Sequence, residues 1–70
     1  MPIGLAPIDT ELTIVKILAD EKTRRHLESL GVVANGRITV ISSHGGNTIC
    51  VVKGVRLALN RETASKILVA

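Results

Sequence analysis

The side chains of this 70-residue chain that could do chemistry are few: two histidines, His26 and His44, and one thiol, Cys50. A Cys–His nucleophilic pair needs both side chains together and a third group to orient the base. Cys50 lies in an apolar run between Ile49 and Val51, where a thiol reads as a small buried hydrophobe. Iron or zinc would want clustered His, Cys or carboxylate ligands, and His26 with Glu21 or Glu28 is not such a spacing. Gly45-Gly46 lacks the P-loop pattern that cradles phosphate and reads as a hairpin turn. The expectation is no catalytic residue, no metal ligand, no cofactor and no enzyme. Function should then lie in binding.

Composition narrows the binding classes. There is no Phe, Tyr or Trp. Single-stranded nucleic acids stack on such rings, and proline-rich peptides dock between them. Net charge is +3, divided as −1 over residues 1–36 and +4 over residues 37–70. The five C-terminal cations, Arg37, Lys53, Arg56, Arg61 and Lys66, are never adjacent. Spaced cations fit solvent-facing strand positions better than a nucleic-acid patch, so no nucleic-acid partner is expected. One cysteine permits no internal disulfide and suits a reducing compartment. No apolar run approaches the ~20 residues that span a bilayer, and no signal peptide is evident. One cytoplasmic domain over residues 1–70 is expected, hiding only ~60% of its unfolded surface.

The chain is organised around residues 20–40. Asp20 is a good N-cap, Glu21 suits the positive end of a helix, and Thr23, Leu27 and Leu30 form a narrow apolar stripe. Gly31 fits a left-handed stop, with Val32 folding back on Leu27 or on the stem of Glu28. Asn35-Gly36 forms a turn, since both residues tolerate positive φ. Before the helix, residues 1–10 hold both prolines and should run extended, anchored by Ile3, Leu5 and Ile8. Residues 12–18 form a first strand, with Leu12 and Ile14 on one face and Thr13, Val15 and Ile17 on the other.

After the helix the pattern predicts strands over residues 38–43, 48–52, 55–59 and 66–69. They are joined by turns at residues 44–47 and Lys53-Gly54, and by a single helical turn capped by Asn60. Ile38, Val40, Val55, Leu57 and Leu59 should face inward. The expected class is all-β with one short helix. It is a small five-stranded SH3-like barrel, with the helix between strands one and two and one helical turn before the last strand.

Residues Arg25 to Gly36 resemble the "rL..LGl..G" signature of the FeoA family, and Val52 to Ala64 resemble its "v.g..iaL" ending, with Ala64, Ile67 and Val69 in its last positions. The likeness runs from about Leu12 to Val69. Two departures are Ala34-Asn35-Gly36, where the family usually has proline before glycine, and the opening Leu5-Ala6-Pro7-Ile8. The resemblance implies a small cytosolic accessory of bacterial ferrous iron uptake. Its partner would be a FeoB-type transporter with a cytosolic G-protein domain, and it would meet the membrane only through that partner. It also implies an alternative, a regulatory or nucleic-acid-associated SH3-like domain akin to the one that ends iron-dependent repressors. Partner contact is expected at Arg24, Arg25, Leu27, Leu30 and Val33, an apolar stretch with a basic rim, although helical spacing favours core packing for Leu27 and Leu30. Gly31, Gly36 and Gly54 are expected to shape turns. The protein should be a monomer or a weak homo-oligomer.

Overall fold

The computed structural model describes residues 1–70. A 3₁₀ turn (Ile3–Leu5) precedes strand β1 (Glu11–Ile17) and helix α1 (Glu21–Ser29). Strands β2 (Arg37–His44), β3 (Asn47–Val52) and β4 (Val55–Leu59), the short helix α2 (Arg61–Ala64) and strand β5 (Ile67–Val69) follow. No helix is long and apolar enough to cross a membrane.

The strands form one antiparallel sheet in the order β4-β3-β2-β1-β5. The two outermost strands do not hydrogen-bond to each other. The expected closed barrel is therefore an open sheet. Its β5 edge is covered, because the Met1 amino group donates to Val69 O at 3.0 Å and the Val69 amide donates to Met1 O at 2.8 Å. The β4 edge has no such cover.

Both tight hairpins follow from residues that accept positive φ. Gly45 and Gly46 stand at φ 59° and 89° between β2 and β3, and Lys53 and Gly54 at φ 52° and 78° between β3 and β4. Two consecutive positive φ values give the turn whose twist matches the flanking strands. At the third turn, Asn35 alone takes positive φ, at 70°. Gly36 is needed for space, since a Cβ there would stand 3.0 Å from Val33 O.

One cluster of 15 buried residues forms the core, all aliphatic or sulfur-bearing. Ile38, Val40, Leu57 and Leu59 face it as the alternation predicts. Three expectations are corrected. Of the N-terminal anchors only Ile3 is buried; Leu5 is 77% exposed because the 3₁₀ turn swings it outward, and Ile8 is exposed too. Val55 is exposed because it closes a hairpin at the end of its strand. In β1, a bulge between Ile14 and Lys16 breaks the alternation, so Ile14 and Ile17 are both buried while Val15 faces solvent.

Helix α1 ends as its sequence dictates. The Gly31 amide donates to Glu28 O at 3.0 Å and the Val32 amide to Leu27 O at 2.9 Å, with Gly31 at φ 94°. This pair of bonds satisfies carbonyls the helix leaves open, and Val32 is buried in the same core as Leu27. A valine at position 31 would bear the left-handed strain of about 1–2 kcal/mol and would press on Val52 Cγ1, 3.2 Å from the new Cβ. Gly31→Val should lower the thermal midpoint by several degrees in a calorimetric melt, whereas an unchanged melt would refute this cap.

A candidate partner-binding face

Helix α1 is built to be held at one point. The Thr23 amide donates to Asp20 Oδ1 at 2.9 Å, which caps the first turn. The Thr23 hydroxyl and amide together hold the Asp20 carboxyl below the usual carboxylate range. One turn on, Arg25 pairs with Glu21 at the surface, an arrangement that adds about 0.3–0.5 kcal/mol to a helix. Of the nine helical residues only Leu27 is buried, 2% exposed. The helix is thus pinned by Leu27 and by the Val32 fold-back, and its remaining surface is open.

The expected site residues divide accordingly. Arg24 and Arg25 are exposed, Leu30 is 37% exposed and Val33 is half-buried. Leu27 lies in the core, as its helical spacing favours, and has no surface to offer a partner, whereas Leu30, favoured for the core by the same spacing, is exposed. The basic rim is weaker than the two arginines suggest. Asp20, Glu21 and Glu28 balance Lys22, Arg24 and Arg25 around the helix. Of the two arginines, only Arg24 is free of an ion pair. Gly31 and Gly54 hold positive φ, and Gly36 gives the close approach already described.

His26, His44 and Cys50 are not brought together. His26 is exposed on α1, His44 is exposed at the end of β2, and Cys50 is fully buried in β3. Burial pushes the Cys50 thiol up to about 11. No group of three or more His, Cys, Asp or Glu side chains is placed to hold a metal ion. A second surface feature escaped the sequence reading. A shallow groove of ≈350 Å³ lies between Glu11, Arg37, Thr39, Val51 and Lys53. Its residues come from three strands and a turn, and only the register β1–β2–β3 juxtaposes Glu11, Thr39 and Val51.

This geometry defines a small five-stranded antiparallel β-domain whose helix α1 buries only Leu27. The FeoA domain model matches residues 1–70, and the chain belongs to the FeoA family. It is 30% identical to an iron uptake regulatory protein (FeoA) of known crystal structure, with a TM-score of 0.89 and coverage of 99% of this chain and 93% of that one. It is similar to FeoA of Stenotrophomonas maltophilia, solved with zinc and described as a procaryotic SH3 domain protein put forward as a ferrous iron transport activating factor. That match has 21% identity, a TM-score of 0.84 and coverage of 100% and 89%. A manganese-dependent transcriptional repressor shares the fold at 18% identity and a TM-score of 0.83, with coverage of 96% of this chain and 39% of that one. Among curated proteins, none matches the sequence.

The Cys50 placement has a measurable consequence. A thiol with a raised folded-state pKa stabilises the fold below its unfolded pKa, and that contribution is lost as pH rises from about 9 to about 11. Native protein should react with a thiol reagent only through opening of the sheet, so labelling at pH 8 should be slow and should accelerate in denaturant. Immediate stoichiometric labelling of the folded chain would refute the burial.

Proposed function

We propose that this protein is a cytoplasmic, non-catalytic accessory of bacterial ferrous iron uptake that acts by binding the cytosolic region of a FeoB-type transporter. The observation that carries the reading is the family match over the whole chain, reinforced by 30% identity to an iron uptake regulatory protein. The surface that suits it is the open side of α1 with the turn after it. There Arg24, Arg25, Leu30 and Val33 surround a helix that the core grips only through Leu27. Irregular segments on a rigid scaffold commonly carry binding. Iron enters this reading as the transporter's cargo, with no resident ion in the accessory itself. The chain acts as a monomer or a weak homo-oligomer. The likeness to the manganese-dependent repressor, at 18% identity, supports a shared fold and adds no DNA-binding role.

Reversing the charge of the face should weaken the complex while leaving the sheet intact. The double variant Arg24→Glu, Arg25→Glu removes one exposed helical ion pair and sets like charges one turn from Asp20, Glu21 and Glu28. Together these changes cost the helix about 1–2 kcal/mol. Surface plasmon resonance against the soluble transporter domain should show a slower association rate. The deficit should be larger at low salt, because rim charges act chiefly on encounter. Unchanged binding by the folded variant would exclude this face.

A further inference from the structure

The backbone hydrogen bonds of the sheet leave one place unfinished. The Lys53-Gly54 turn makes Val52 and Val55 the closing pair, so the bonded pairs of this hairpin fall at Val52–Val55, Cys50–Leu57 and Thr48–Leu59. Between them, the amides and carbonyls of Arg56 and Ala58 point away from β3. No backbone or side-chain group of the protein pairs with them. Both residues are exposed, while Leu57 and Leu59 face the core. The β5 edge, by contrast, is occupied by Met1. The chain therefore presents one free strand edge of two donors and two acceptors at β-sheet spacing.

The charged residues on β4 and in the turn before it are basic, with Glu11 across the groove on β1 and Glu62 past Arg61. Lys53 in the turn, Arg56 on the strand and Arg61 just after it are exposed, and none has a carboxylate within 4.0 Å. From residue 37 to residue 61 there is no Asp or Glu. Beside the edge, the outward face carries half-buried Val51 opposite Arg56, and Ile49, 38% exposed, opposite Ala58. Edge strands are blunted by charges, a proline or a bulge. β4 has no proline, bulge or inward charge, and its one charge, outward Arg56, repels a basic strand and favours an acidic one.

We infer that the β4 edge is a docking site for an extended acidic peptide of a partner protein, which adds a sixth strand by pairing with Arg56 and Ala58. Main-chain bonds supply the affinity, and alternate partner side chains supply the selectivity. Acidic side chains on the outward face meet Arg56 and Lys53, and apolar ones lie against Ile49 and Val51. A second copy of this chain is the wrong occupant on charge grounds. Edge-to-edge pairing would set Lys53 and Arg56 of one copy against those of the other, with no carboxylate on either strand. The edge adjoins the α1 face at one point, where a Cβ at Gly31 would stand 3.8 Å from the Lys53 stem, but its pairing positions Arg56 and Ala58 lie on β4, and the inference stands whichever protein supplies the peptide.

The test is selection of random dodecapeptides by display on the immobilised chain, followed by NMR amide exchange with the peptides recovered. The expected pool alternates Asp or Glu with β-branched residues, and bound peptide slows exchange at the Arg56 and Ala58 amides. Ala58→Pro removes an outward N–H, which an edge strand tolerates, and should weaken binding about tenfold. Arg56→Glu leaves the backbone intact and should weaken it about as much, which keeps the test decisive if the proline variant unfolds. The inference is overturned by any of four results: no enrichment over background, a pool without acidic bias, protection mapping to α1, or protection of Arg56 and Ala58 by self-association without peptide.

Discussion

Strand β1 is the member on which the rest of the structure depends, because it is bonded along both edges by parts of the chain distant in sequence. On one side the Ile14 amide donates to Gly36 O at 2.8 Å and the Asn35 amide donates to Ile14 O at 2.7 Å. On the other, Thr13 and Ala70 exchange two backbone bonds of 2.9 Å. Buried Ile14 sits where these ladders meet. The bulge that follows turns Ile17 inward as well, and this continues the core toward β5. Breaking β1 would remove the strand that joins the β2–β3–β4 meander to β5, leaving only the Asp9–Val40, Ser43–Gly4 and Arg61–Asn47 bonds and the packing of α2 on β3 to tie the two parts.

The core shows how a chain without aromatic rings manages this. Its 15 buried residues are Ile, Leu, Val, Ala and Cys, so no single side chain dominates the apolar burial. Each contributes on the order of 1–3 kcal/mol of transfer free energy. Helix α1 meets this core through Leu27 and through the Val32 fold-back. An attachment so narrow leaves most of the helix surface free of structural duty.

Much of the fold was legible in the sequence because it is specified by local chemistry. Asp20 and Asn60 accept from the amides three residues on, as capping requires, and Gly31 stops the helix within one residue of Leu30. The paired positive φ values at Gly45-Gly46 and Lys53-Gly54 set the meander. What escaped is set at long range. The β1 bulge depends on accommodating β5, Leu5 and Val55 are apolar residues whose exposure depends on chain direction, and closure depends on whether β4 reaches β5. The candidate site was half legible. The periodicity picked out the helix and Leu27 as a core residue, but Leu30 on the same stripe is exposed, and the groove beside Glu11 needed a register that no local pattern contains.

The relatives give these observations a common meaning. Backbones at TM-scores of 0.89 and 0.83 occur in an iron uptake regulatory protein and in a metal-dependent repressor at 30% and 18% identity. A fold shared at such distance is held by its buried apolar positions, which here number 15 of 70. Those positions need only be apolar and of roughly the right volume, so they carry no information about a partner. What is particular to this chain must lie in the exposed remainder, and there its charges are not evenly spread. The helix side is balanced, whereas the strands from Arg37 to Arg61 are uniformly basic. Spaced cations on a rigid sheet cost the fold little, and the register brings Arg37 and Lys53 to one groove. They bias which protein surfaces can approach, so selectivity in this domain is a property of strand register as much as of sequence.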